Sequence, residues 1–202
     1  MALKNKLGIV DSSELAREEE RLSKMRAVQL FEEDILSDFE PGTFDALQKI
    51  HEFIFSDIYD FAGKIREVNI AKGGFRFASV MYLCEALKNI EKMPQRSFDE
   101  IVEKYVEMNV AHPFREGNGR AGRIWLDHML RSELGVVVDW SLVDKSDYLL
   151  AMERSPIKDI EIKFLLKAAL TDKISDREIF IKGIDNSYNY EGYSLFKAGD
   201  LK

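Results

Sequence analysis

His112-Pro113-Phe114-Arg115-Glu116-Gly117-Asn118-Gly119-Arg120-Ala121-Gly122-Arg123 gathers one histidine, one carboxylate, a Gly-Asn-Gly run and, after that run, two spaced arginines within a dozen residues. Gly117 and Gly119 let the backbone turn tightly and approach a ligand, because neither carries a Cβ. The stretch that follows, Arg120 to Glu133, has helical periodicity. Ile124, His128 and Arg131 share one face, while Trp125, Leu126, Met129 and Leu130 form an apolar stripe. Gly135 is placed to cap its C-terminus. A glycine-rich loop that feeds a helix start presents unpaired N–H groups and partial positive charge, which suits phosphate. Arg120 and Arg123, three residues apart, are neighbours on the first turn and within reach of outer phosphates.

Working outward, the 202 residues suffice for one domain with a sizeable core and an appended element. The hydrophobic share of 46% and charged share of 32% are those of an ordinary soluble protein. A net charge of −7 argues against non-specific nucleic-acid binding. The lone Cys84 cannot close an intrachain disulfide, so a reducing, cytoplasmic setting is expected. Met1 to Val10 carries two lysines and no long apolar run, so no signal peptide is expected. No stretch approaches the roughly 18 apolar residues of a membrane helix.

In chain order, Asp11, Ser12 or Ser13 can cap a helix from Glu14 to about Phe39, whose acidic run Glu18-Glu19-Glu20 is expected to be a solvated face. Pro41-Gly42 breaks the chain, and Thr43 caps a helix through Phe44, Leu47, Ile50, Ile54 and Phe55. His51, beside that apolar stripe, is expected to be structural. From Ile65 the pattern turns extended, and Gly73-Gly74 between Val68, Ile70 and Phe75, Phe77 predicts a β-hairpin. Such a hairpin can be plain surface or a flap that pairs with an extended partner segment. Helices are predicted over Val80–Met93 and Phe98–Ala111, so the opening loop joins helix to helix. That placement excludes a Rossmann loop, which needs a preceding strand, and a Walker loop, which needs Gly-Lys-Ser/Thr.

Downstream, Val136 to Trp140 is a short extended run, and Ser141 is expected to cap a helix ended by Ser155-Pro156. Asp159 to Thr171 is predicted helical, Asp176 to Lys182 a short helical turn interrupted by Gly183, and Ser187 to Gly192 a last short helix begun by Asp185, Asn186 or Ser187. The end, Ala198 to Lys202, is expected to fray.

His112 has the residue type whose unperturbed pKa, about 6.5, suits proton abstraction near neutral pH. Glu116 is a hard oxygen ligand suited to Mg²⁺ that also touches substrate phosphates. The Gly117 to Gly119 backbone can stabilise charge on a phosphoryl oxygen, and Arg120 and Arg123 can hold further phosphates. Zinc hydrolysis fits poorly, since the loop has one histidine and no cysteine. Phe114 is expected to pin the loop to the core. On residue types alone, phosphate transfer and a plain capped helix junction both stay open.

The stretch resembles the Fic signature H-x-F-x-[DE]-G-N-G-R-x-x-R and matches every fixed position from His112 to Arg123. Ile50-His51, Asp57-Ile58-Tyr59 and Ala62 to Arg66 also resemble the family segment before its flap. The resemblance spans roughly Thr43 to Leu170. It implies a mostly α, single-domain Fic-type helical fold with a small β-hairpin flap. The organisation then expected is an N-terminal helical extension over 1–42, a Fic core over 43–172 and a C-terminal segment over 173–202. It further implies protein AMPylation, in which ATP donates AMP to a hydroxyl of a target protein and releases pyrophosphate. Carried over, His112 is the base and Glu116 the metal ligand, for Mg²⁺ with Mn²⁺ or Ca²⁺ as alternatives. Gly117, Asn118, Gly119, Arg120 and Arg123 bind the phosphates. Lys72, Gly73, Gly74, Phe75, Arg76 and Phe77 form the target-docking flap, and the region from Trp140 to Met152 lines the adenine pocket.

The tail adds a second match: Ser187-x-x-x-Glu191-Gly192 resembles the inhibitory motif of the family's third class. The resemblance implies that Glu191 pairs with Arg123 and obstructs the γ-phosphate, with Ser187 capping the short helix or bonding locally to steady Glu191. Partners expected on this basis are ATP and a hydroxyl-bearing target protein, with self-AMPylation and a homo-oligomer left open and no nucleic acid or membrane. De-AMPylation, in which the same glutamate orients a water, is an alternative, as is transfer of another nucleotide-derived group. Relatives that phosphorylate carry lysine where Gly119 stands, which argues against kinase activity. An idle nucleotide-binding regulator is the reading least compatible with an intact His112 and Glu116.

Overall fold

The computed structural model describes residues 2–72 and 75–201, with the Lys72 side chain left aside. Gly73 and Gly74, the expected hairpin turn, and Lys202, the last residue of the expected frayed end, lie outside the described residues. The fold is mostly helical, as predicted. Among the described residues no helix is long and apolar enough to cross a membrane.

Helix α1, Ser12–Glu32, is capped by the Asp11 carboxylate, which accepts from the Ser13 and Glu14 amides at 3.0 and 2.8 Å. It stops before the predicted Phe39: Asp34 turns left-handed (φ 52°) and a 3-10 turn, Ile35–Asp38, follows. Aspartate tolerates that conformation better than most residues, so the break needs neither Gly nor Pro. Helix α2, Phe44–Phe55, starts where Thr43 accepts from the Ala46 amide at 3.1 Å. A two-residue hairpin pairs β1, Ala71–Lys72, with β2, Phe75–Arg76, antiparallel, Ala71 facing Arg76. Residues 65–70, read as extended, carry no strand. Helix α3 runs Val80–Glu91. Helix α4, Phe98–Ala111, is fixed by a capping box between Ser97 and Glu100.

Helix α5, Asn118–Leu134, is the central element and packs against α2, α4 and a later helix, α8 (Arg177–Tyr190). Its Trp125, Leu126, Met129 and Leu130 are fully buried, and Gly135 (φ 65°) closes it as expected. Two strands, β3 (Val137–Val138) and β4 (Leu170–Thr171), pair antiparallel. The predicted helix over 159–171 therefore shortens to α7, Ile160–Ala168. Before it, α6, Lys145–Arg154, is capped by Asp144 rather than Ser141; Ser141 lies in a 3-10 turn, Trp140–Leu142. Asp144 wins because its carboxylate meets two amides, those of Ser146 and Asp147.

The tail departs most from expectation. Helix α8, Arg177–Tyr190, runs unbroken through Gly183, and Ser187 sits inside it instead of capping a shorter one. Gly183 serves close approach: a Cβ there would lie 3.3 Å from the Trp140 ring. The described residues after α8 pack against the core: Ala198 is fully buried and its amide bonds Asp185 at 3.0 Å.

What holds that tail is the acidic run of α1, which is not a solvated face. Glu19 and Glu20 are only 3% and 0% exposed. Glu20 pairs with Lys24 at 3.0 Å and accepts from the Leu195 and Phe196 amides, both at 3.1 Å. Lys24 also bonds the Phe196 carbonyl at 2.7 Å and Asp185 at 3.1 Å. Removing one partner of a buried pair leaves an uncompensated charge. Glu20→Ala is therefore expected to lower unfolding free energy by about 3 kcal/mol, the low end for such pairs because Asp185 remains. Urea unfolding measures this, and a loss under about 0.5 kcal/mol, as for an exposed pair, would refute it.

Candidate active site

The loop between α4 and α5 is held from three sides. Fully buried Phe114 stacks on His51, ring centres 3.9 Å apart. His51 Nδ1 accepts from the Gly63 amide at 2.9 Å, so its proton sits on Nε2, which donates to the Glu116 carbonyl at 2.8 Å. Burial pushes the His51 pKa down to about 3 and keeps the ring neutral. It is structural, as expected, and its task is to brace this loop. Asn118 closes the loop on itself: its side chain accepts from the Phe114 amide and donates to the Phe114 carbonyl, each at 2.8 Å.

Arg66 ties the loop to the hairpin, a role that nothing in its own sequence neighbourhood signals. Its guanidinium donates to the carbonyls of Ala111 (3.1 Å), His112 (2.7 Å), Val68 (2.7 Å) and Ala78 (2.5 Å). Four carbonyls from three segments are thus fixed by one side chain.

His112 caps α4 in a left-handed conformation, φ 49°. Its Nδ1 lies 3.0 Å from the Asn109 carbonyl. A carbonyl only accepts, so Nδ1 carries the proton and the lone pair of the neutral ring is on Nε2. Phe77, just beyond β2, stacks on the imidazole at 3.6 Å. The base expected from sequence therefore has a fixed tautomer and a fixed ring plane.

Gly117 (φ 76°) forms the N-cap of α5, and a Cβ there would strike the Phe55 ring at 2.4 Å. At Gly119 a Cβ would fall 2.2 Å from Glu191 Oε1. The Glu191 carboxylate thus rests against the start of α5, where orphan amides and the helix dipole favour an anion. Glu116 turns its Oε1 to the Gly117 amide (2.9 Å) and to Arg120 (3.1 Å).

Both motif arginines are buried. Arg120 donates to Glu19 at 2.6 Å and to Glu116 at 3.1 Å, with its guanidinium over the rings of Phe55, Tyr188 and Tyr193. Arg123 donates to Ser187 Oγ (2.7 Å), to the Ser187 carbonyl (2.8 Å) and to Glu191 (3.0 Å). Burial alone lowers the Arg123 pKa, but surrounding tyrosines and the Glu191 carboxylate more than offset it and leave it raised. From the stretch expected to line an adenine pocket, Tyr148 stacks on Tyr190 at 4.9 Å and its hydroxyl lies 3.4 Å from Arg123. Trp140 donates to Asp127 at 2.7 Å.

Among the described residues no group of three or more His, Cys, Asp or Glu side chains could hold a metal unaided. Glu116, with a side chain 39% exposed, offers one carboxylate just before the start of α5. A divalent cation such as Mg²⁺ takes one or two carboxylates and completes its shell with phosphate oxygens and water. The donor set fits that pattern.

Fold and site together define a helical protein in which the start of a central helix carries the Glu191 carboxylate and the loop before it an oriented histidine. Residues 41–130 match the Fic/DOC family, and the chain carries a Fic/DOC domain. It is 30% identical over 216 aligned positions to the protein adenylyltransferase VbhT of Bartonella schoenbuchensis, covering 95% of this chain. It spans only 44% of the length of that relative. A probable protein adenylyltransferase Fic of Salmonella typhimurium is 28% identical, over 86% of this chain and 88% of that one. Among solved structures, the type IV secretion system effector BepA superposes with a TM-score of 0.71 at 21% identity, over 92% of this chain and 71% of that chain. BepC of Bartonella tribocorum, solved with bound AMPPNP, gives 0.68 at 22% identity, covering 85% and 93%. At such identities these likenesses concern the fold.

Proposed function

We propose that this chain is a protein adenylyltransferase, autoinhibited by Glu191 at the end of α8. The observation that carries this reading is the Glu191 carboxylate lying against Gly119 while bound to Arg123: a protein anion sits where a nucleotide phosphate would compete for the same donors. The relatives' names as protein adenylyltransferases support the choice of AMP as the transferred group.

In this reading ATP is the donor and a hydroxyl side chain of a target protein the acceptor. The acceptor oxygen forms a bond to the α-phosphorus while the bond to the pyrophosphate oxygen breaks, and His112 Nε2 takes the hydroxyl proton. The Asn109 carbonyl keeps the imidazole in the tautomer this needs. Backbone amides at the start of α5 stabilise phosphoryl charge, and Arg123, once released by Glu191, holds an outer phosphate. Glu116 would hold a divalent cation, which neutralises phosphate charge. The hairpin carrying Phe75, Arg76 and Phe77 would align the target segment by strand pairing. The position of the Glu191 carboxylate beside the anion site also supports a second reading, hydrolytic removal of AMP with Glu191 orienting the water.

The test is incubation of the chain with a cell lysate and ATP labelled at the α-phosphate, in Mg²⁺, Mn²⁺ and Ca²⁺ separately. Label on protein, including on the chain itself, is expected from α-labelled but not γ-labelled ATP. Incorporation only from the γ-position, or only from another nucleotide, would overturn the assignment of AMP. Loss of label after removal of ATP would identify the reverse reaction.

A further inference from the structure

Glu19 lies on α1, before the residues that match the family and far along the chain from the loop. Yet it is among the most completely engaged carboxylates of the described residues. Its Oε1 accepts from Arg120 at 2.6 Å and from the Tyr193 hydroxyl at 2.9 Å, and its Oε2 accepts from the Tyr59 hydroxyl. The second arm of the Arg120 fork reaches Glu116 Oε1 at 3.1 Å. One guanidinium, 1% exposed and walled by Phe55, Tyr188 and Tyr193, thus links two carboxylates, the first buried and the second at the mouth of the site.

Two physical consequences follow. A part-exposed glutamate loses little by leaving a single donor, but Arg120 and the Gly117 amide both bind Oε1 and restrict its rotamers. The link also has a charge aspect. An uncompensated guanidinium beside Glu116 would repel a divalent cation and weaken its binding. Glu19 cancels that charge from behind while leaving the fork in place. The bridge therefore orients Glu116 without making its surroundings electropositive.

We propose that Glu19 is a positioning residue: through Arg120 it sets the geometry and the electrostatics of Glu116 as a ligand for a divalent cation. This rests on the reading of Glu116 given above. Outer-sphere partners of metal ligands typically contribute about 10–100-fold in metal affinity. Glu19→Gln keeps the shape and removes the charge, so it is expected to weaken Mn²⁺ binding in the presence of ATP by about tenfold. ATP binding in EDTA should change far less, because Arg120 keeps its charge and Arg123 and the amides at the start of α5 do not contact Glu19.

Mn²⁺ binding to the full chain can be followed by electron paramagnetic resonance, with ATP binding in EDTA by calorimetry and Glu116→Gln in parallel. A purely structural role for Glu19 would lower ATP binding in EDTA as much as Mn²⁺ binding, and that result would overturn the proposal. Weak Mn²⁺ binding in Glu116→Gln with normal binding in Glu19→Gln would remove the relay and leave the metal assignment standing. Normal binding in both would remove the metal role of Glu116 and the relay with it. Should Glu19→Gln not fold, Glu19→Asp retains the charge but shortens the reach to Arg120. A shift in the same direction is expected from it, and no shift would refute the positioning role.

Discussion

Replacing Glu191 with glycine is expected to raise AMP transfer from ATP roughly 5- to 150-fold, the range given by a coupling free energy of about 1–3 kcal/mol. Arg123 is 2% exposed, and its guanidinium is engaged by Ser187 through two bonds and by Glu191 through one. Only the Glu191 contact is charge-compensating, and its oxygen also faces Gly119 at the helix start. Removing that carboxylate clears the donors at the start of α5 and leaves Arg123 held in place by Ser187, so the phosphate meets a preorganised site. The variant also leaves a buried cation without its counter-ion, which destabilises the ligand-free protein. ATP should then restore what was lost, and stabilisation by ligand follows its affinity. The rise in melting temperature on adding ATP is therefore expected to be larger in Glu191→Gly than in the wild type. Label incorporation and thermal shifts measure the two effects. Unchanged incorporation in all three metals would rule out Glu191 as the inhibitor.

Elements bounded by local signals were legible in the sequence. Ser97 with Glu100, Thr43, and Gly135 each act on amides or carbonyls within a few residues, so α4, α2 and the end of α5 fell close to their predicted limits. The motif loop was legible for the same reason, down to Phe114 as its anchor. The acidic run of α1 was not. Its sequence suits a wet helix face, and only Arg120, Tyr193 and the amides of Leu195 and Phe196, far along the chain, make burial of Glu19 and Glu20 affordable. Gly183 misled in the opposite direction. A glycine inside a helix usually weakens it by about 1 kcal/mol, but here the missing Cβ admits Trp140 and the helix continues. Strand β3 falls within the extended run predicted over Val136 to Trp140, but its partner β4 is only two residues long, too short for periodicity to register, and reads as the end of a helix. Arg66 likewise declares its role only once four carbonyls converge on it.

Loss of His112 is expected to lower transfer by about 10²–10⁴-fold, the usual contribution of a positioned general base. It is best measured in the Glu191→Gly background, where transfer is highest. Alanine removes the imidazole but must also adopt the left-handed backbone at φ 49°, which disfavours most residues with a Cβ. His112→Asn avoids that ambiguity, because asparagine visits this region readily and cannot take up a proton near neutral pH. The rest of the loop depends on other groups: Phe114 against His51, the Asn118 clamp, and Arg66 on the His112 carbonyl, which any residue at 112 retains. ATP affinity and melting temperature should therefore stay close to those of the parent while turnover collapses. A matching loss of ATP affinity would make His112 a structural cap of α4. Near-normal transfer with the asparagine would mean that another group, or water alone, takes the hydroxyl proton. Residual transfer at the level expected for the anion site without a base would leave proton abstraction with the one side chain whose tautomer α4 and Asn109 hold fixed.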